Sequence, residues 1–203
     1  MTARGTGAFA ALALVLACAG CSVAPNPAAP AATYDFGPAP AGKAEQRLRQ
    51  ALLVPDVSAP AWLDSPSIRY RLAYQDAARP ESYSDSRWVM SPVALFTTRL
   101  RGQLAASTSA GIVQPGDGAR PVYALRVEMD EFTQVFDAPG KSRAVVRIRA
   151  SILSNRSLVA QRDFDLERPA QSGDAEGGVR ALIGASDEVI DQLVVWVGRT
   201  VKD

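Results

Sequence analysis

The chain has 203 residues, 22 Lys and Arg against 21 Asp and Glu, no histidine, and two cysteines, Cys18 and Cys21. A near-neutral balance gives no basis for holding a polyanion, so nucleic acid is excluded as a partner. The lack of histidine removes the commonest general base and metal ligand; no metal site, cofactor or enzymatic activity is expected, and only Lys43, Lys141 and Lys202 could complete a Ser-Lys pair.

Arg4 is the only charge before an apolar run from Ala8 to Ala17, which ends in Cys18-Ala19-Gly20-Cys21. That run is too short to span a bilayer as a permanent helix, and small residues follow it at once, as in a secretory signal peptide. The stretch resembles a bacterial lipobox with Cys21 as the lipidated residue, although Cys18 stands where the pattern has Leu. Reading Cys18 as the modified residue sets Leu16 and Ala17 before it, a poorer fit. A plain cleaved signal with an incidental cysteine is the competing account. The reading is therefore residues 1–20 as signal peptide, 21–32 as lipidated N-terminus and Pro/Ala-rich tether, and 33–203 as one domain. Removing Arg4 leaves that mature part neutral, and after Cys21 there is no cysteine for a disulfide. Ser22 rather than Asp after Cys21 implies, by resemblance to such lipoproteins, the periplasmic face of the outer membrane.

Tyr34-Asp35-Phe36-Gly37 closes a short first strand, and Leu52, Val54 and Val57 are candidate core positions around Pro55. Ile68, Tyr70, Leu72 and Tyr74 alternate with Arg69, Arg71 and Ala73, the pattern of a half-buried strand. Residues 75–86 are polar and read as a loop carrying Tyr83 toward an extended piece at Arg87-Trp88-Val89-Met90. Ser91 and Pro92 then open a helix as N-cap and first helical residue, with Val93, Phe96, Leu100 and Leu104 as its apolar stripe and Thr97, Arg101 and Gln103 outside it. A weak strand around 110–113 and a turn over 114–119 lead to three long strands over 121–136, 143–153 and 158–166. Their outward positions run acidic, basic, then acidic. Residues 173–178 read as a flexible lead-in to a last helix whose apolar face includes Val179, Leu182, Val189, Leu193 and Val197. Together these give a single α+β domain, an antiparallel sheet with two helices packed on one face.

One ordered series is more specific. Trp62-Leu63-Asp64, Tyr70-Arg71-Leu72-Ala73-Tyr74, Tyr83, Arg87-Trp88, Ser91-Pro92-Val93-Ala94-Leu95 and Arg99-Leu100 resemble the ABC-type transport auxiliary lipoprotein family, over nearly the whole mature chain. The resemblance implies a non-catalytic subunit of a system that moves lipids or related hydrophobic molecules between bacterial membranes. Its partners would be the membrane, through the N-terminal lipid, and a mammalian-cell-entry-domain protein of the transporter, with lipid as a cargo to guide and a homo-oligomer as an allowed state. Trp62, Tyr70, Arg71, Tyr83, Arg87 and Trp88 are the candidate contacts to partner or ligand, set against the plainer reading that they pack the domain. An envelope scaffold or activator of cell-wall machinery, with no lipid cargo, is the alternative function.

Overall fold

The computed structural model describes residues 30–40 and 48–201. The signal peptide, Cys18, Cys21, most of the tether, Lys43 and Lys202 lie outside the described residues. From Ala31 onward the described chain forms one compact unit. Its strands are β1 (Ala32–Tyr34), β2 (Leu52–Leu53), β3 (Ser67–Leu72), β4 (Pro80–Trp88), β5 (Ile112–Val113), β6 (Tyr123–Ala138), β7 (Lys141–Ser154) and β8 (Ser157–Pro169). The helices are α1 (Ala73–Asp76), α2 (Pro92–Ala106) and α3 (Ala175–Thr200).

β6, β7 and β8 form an antiparallel meander, turned at Pro139-Gly140 and at Asn155-Arg156. Asn155 and Arg156 both have positive φ, 49° and 70°, the twist a two-residue hairpin needs. The second edge of β6 is shared. At its start it pairs in parallel with β2, near its middle Ser58 bridges Glu128, and toward its end it pairs in parallel with β3, which continues into β4 and β1.

The α+β class holds, with both long helices contributing to one core cluster with the sheet. The sheet, however, is mixed rather than antiparallel throughout. Parallel neighbours need long crossovers, and the chain between β3 and β6 supplies one that includes α2. β1, β2 and β5, of two or three residues, carry too little alternation to reveal such pairing, and the alternation of β3 marks a strand without fixing the direction of its neighbour. Two further expectations change. Residues 80–86, read as loop, join the expected extended piece at Arg87-Trp88 in the strand β4, and β3 stops at Leu72, so Tyr74 lies in α1 and is 41% exposed.

A bulge in β6 sets which residues meet the helices. Leu125, Val127 and Met129 face the core; the register then slips between Met129 and Glu131, and Phe132, Gln134 and Phe136 take over that face. Since strand side chains alternate, one extra residue exchanges the two faces for all that follows. On the meander's other face the charges pair across strands: Arg147 Nε lies 2.8 Å from Asp165, Arg149 Nε 2.9 Å from Asp163, and Arg143 Nε 2.9 Å from Glu167. These exposed pairs fix register more than they stabilise.

Ser91 caps α2 by accepting from the Ala94 amide at 3.3 Å, with Pro92 in the first turn. Val93, Phe96, Leu100 and Leu104 are buried, each such side chain contributing about 1.5–3 kcal/mol. Asp174 caps α3, its carboxylate accepting from the Gly177 amide at 2.8 Å. Gly177 and Gly178 lie within α3 rather than in a flexible lead-in, because a Cβ at Gly178 would occupy the space of the Gln134 amide and one at Gly177 that of Ser172. Gly178→Ala should therefore lower unfolding free energy by about 1–3 kcal/mol in chemical denaturation.

The Asp174 carboxyl is held below the usual carboxylate range, chiefly by the Gly177 amide and then by the Ser172 hydroxyl. A depressed carboxyl stabilises above its unfolded pKa and loses that contribution as pH falls through the folded value. Asp174→Ala should cost about 1 kcal/mol at neutral pH. The gap to wild type should close as the pH is lowered into the acid range, measured by thermal melts across pH.

Candidate functional site

The candidate residues divide between the two sides of the sheet. On the helix side, Trp88 is 1% exposed and packs edge-on against Phe36 at 5.7 Å and Phe132 at 5.9 Å between ring centres. Tyr70 lies against Tyr83 at 4.7 Å and Phe136 at 5.9 Å. The Tyr83 hydroxyl donates to Gln134 Oε1 at 2.9 Å, and the Gln134 amide nitrogen donates to Ser142 Oγ at 2.8 Å and to the Asp174 carbonyl at 3.1 Å. Burial, helped by the neighbouring Tyr70, Asp174 and Asp85, pushes the Tyr83 hydroxyl far above its ordinary range, so it stays a donor. Trp88 is thus a core residue, and Tyr83 has its polar end committed inside. Packing, the plainer of the two readings, holds for Trp88, whereas Tyr83 is half-buried.

Arg99, about two turns beyond the cap of α2, is the residue whose role the pattern did not reveal. It is 7% exposed. Its guanidinium donates to the carbonyls of Phe36, of Gly37 at 2.9 Å and of Pro38 at 3.4 Å, and pairs with Asp187 of α3 at 2.9 Å. It also stands over the Phe36 ring at 5.8 Å. Burial lifts the Asp187 carboxyl above the usual range, against the pull of Arg99. One side chain thereby joins the segment after β1 to both long helices. An arginine one position before Leu100 in an apolar stripe was the available signal, but only the fold shows three carbonyls converging on it.

On the opposite side, Arg71 lies over the Trp62 ring at 5.9 Å, and its Nε sits 3.6 Å from Glu131 Oε1, an ion pair too long for a hydrogen bond. Arg69 donates to the Trp62 carbonyl at 3.4 Å, while its Nε, Glu131 Oε1 and Thr133 Oγ1 are buried without a hydrogen-bond partner among the described residues. Arg87 is exposed on β4 and is followed by two exposed apolar residues, Val89 and Met90. Trp62, Tyr70, Arg71 and Tyr83 are thus half-buried and Arg87 exposed, so of the six candidate contacts only Trp88 is closed off.

Two grooves flank the Arg99 clasp. One, of about 430 Å³, runs between Tyr34, Phe36 and Val89 and the α3 residues Val179 and Ile183. The other, of about 470 Å³, lies between Val57-Ser58-Ala59 and α2, where Thr97 is buried rather than at the surface, accepting from the Val57 amide at 3.1 Å. Arg101 closes this groove by pairing with Asp56 at 2.9 Å. Among the described residues no group of three His, Cys, Asp or Glu side chains could hold a metal ion. What these elements offer is shape, apolar lining and paired charge.

Residues 34–194 match the profile of the ABC-type transport auxiliary lipoprotein component. No curated protein matches the chain. Among solved structures, protein XCC0632 from Xanthomonas campestris, described under family DUF330, is similar at a TM-score of 0.71 and 22% identity, covering 85% of this chain and 96% of its own. A second structure, described only as an uncharacterized protein, aligns at a TM-score of 0.63 and 15% identity, over 83% of this chain and 99% of its own. These likenesses establish a shared fold.

Arg99→Met, which keeps most of the volume, should destabilise the protein by about 3–5 kcal/mol, since it strands Asp187 and three carbonyls. Asp187→Asn should cost less, because the carboxyl is already disfavoured by burial. Denaturant titration of both variants distinguishes these outcomes, and equal losses would contradict the clasp.

Proposed function

This chain belongs to the ABC-type transport auxiliary lipoprotein family, and from that premise we propose that it is a non-catalytic subunit anchored by acylated Cys21 to the periplasmic face of the outer membrane. There it receives the far end of an ABC-type transport assembly, through a protein with the mammalian-cell-entry domain, and docks or guides lipid or a related hydrophobic molecule. The observation that carries this reading is the family match over 34–194, nearly the whole domain, following a lipobox-like N-terminus.

The physical features agree with a docking role. Attachment by two or three acyl chains holds a domain firmly without a spanning segment, and no helix of the described residues is long and apolar enough to cross a membrane. Between Cys21 and β1 a fully extended chain reaches at most about 40 Å, so the body stays near the membrane that carries the lipid. Its partly accessible Trp62, Arg71 and Arg87 are residue types favoured where proteins meet.

Metabolic labelling with palmitate, followed by separation of the two membranes by density, tests this. Cys21→Ala should abolish labelling and release the domain from the outer-membrane fraction, whereas Cys18→Ala should leave both intact. Label lost only from Cys18→Ala would move the anchor, and wild-type protein in the inner-membrane fraction would refute the placement.

A further inference from the structure

β8 is the long strand at the edge of the meander, and among the described residues it pairs with β7 alone. The Ala170 amide donates to the directly opposite Ser142 carbonyl at 2.9 Å, which sets the phase of the ladder. Hydrogen-bonded pairs alternate with non-bonded ones in an antiparallel ladder, so Gln161, Asp163, Asp165 and Glu167 turn their N–H and C=O groups away from β7, toward the open edge. Those same residues carry side chains on the sheet face away from the helices, three of them carboxylates that pair on one side with Arg149, Arg147 and Arg143 of β7 and remain 72%, 57% and 46% exposed. Pro169, which has no amide hydrogen, ends the row, and the register slip at Val159 begins it.

Open edges template added strands, and proteins usually blunt them. Here the blunting is selective. A second copy laid antiparallel about Asp163 or Asp165 would set carboxylate against carboxylate, which destabilises a cross-strand pair. On the helix side of the edge the order is reversed: Arg162 stands over Phe164 at 4.9 Å and Arg168 lies 3.8 Å from Glu188, with Leu166 between them half-buried. A cation there would meet arginine, whereas an apolar side chain would extend the contact of Phe164 with Trp196.

We infer that the β8 edge is a binding site for an extended polypeptide segment of another protein, added as a further strand, with Lys or Arg at every second residue and apolar residues between. Backbone hydrogen bonds to residues 161–167 supply affinity, and the carboxylate row supplies direction and choice of partner. The inference stands independently of the proposed transport role, since it rests on the edge alone.

The test uses the full-length protein in detergent with a synthetic peptide of alternating Lys and Val, against one of the same composition with the lysines in a single block. Binding is followed by fluorescence anisotropy, and amide hydrogen exchange locates it. The alternating peptide should bind at least about tenfold more tightly than the block peptide, weaken with added salt, and protect the amides of residues 161–167. Asp163→Lys with Asp165→Lys should weaken it by a further order of magnitude or so, and the milder Asp163→Asn with Asp165→Asn by less. Equal binding of the two peptides, protection elsewhere in the sheet, or β8 protected by pairing of two copies would overturn the proposal.

Discussion

A single buried guanidinium, that of Arg99, ties the segment after β1 to both long helices of the domain. Three consecutive carbonyls of residues 36–38 converge on it, and Asp187 completes the set from α3. Carbonyls at the end of a three-residue strand have no ladder to satisfy them, and an arginine fork can serve several at once. The consequence reaches beyond local order. Phe36 is held against Trp88 and Phe132, so the segment after β1 becomes part of the core rather than a loose end.

The second constraint is the bulge in β6. Without the extra residue near Asp130, Phe132, Gln134 and Phe136 would face away from the helices, and the aromatic centre could not close. Gln134 is the polar member of that row. It is fully buried yet satisfied on both ends, linking β4, β6, β7 and the start of α3 through Tyr83, Ser142 and the Asp174 carbonyl. A buried amide so placed favours one helix position over its alternatives, and the absence of a side chain at Gly178 makes room for it.

Much of this was legible in the sequence because several elements obey one strong local rule. Ser91-Pro92 marks a helix start by capping chemistry alone, the stripe from Val93 to Leu104 follows the helical period, and the charge order of the last three strands foretells their antiparallel pairing. Legibility ended where long-range geometry decides. Of the parallel neighbours of β6, β2 is two residues long, too short to carry a period, and the alternation of the six-residue β3 marks a strand without saying which way its partner runs. Thr97 sits at a position the stripe leaves outside, yet the Val57 amide draws it inward. Trp88 belonged to a series of aromatic residues for which packing is the plainer reading, but only the fold shows Phe36 and Phe132 enclosing it. The glycines before Val179 look like slack but mark a close approach.

The family places the chain with an ABC transport system, and the structure gives it a domain tied together through Arg99 and Gln134. Affinity purification of the tagged full-length protein from native membranes in mild detergent, with quantitative mass spectrometry of what accompanies it, tests that account most directly. The account predicts enrichment of a mammalian-cell-entry-domain protein together with its permease and ATPase. Enrichment of cell-wall synthases in their place, with no transporter component above background, would contradict it.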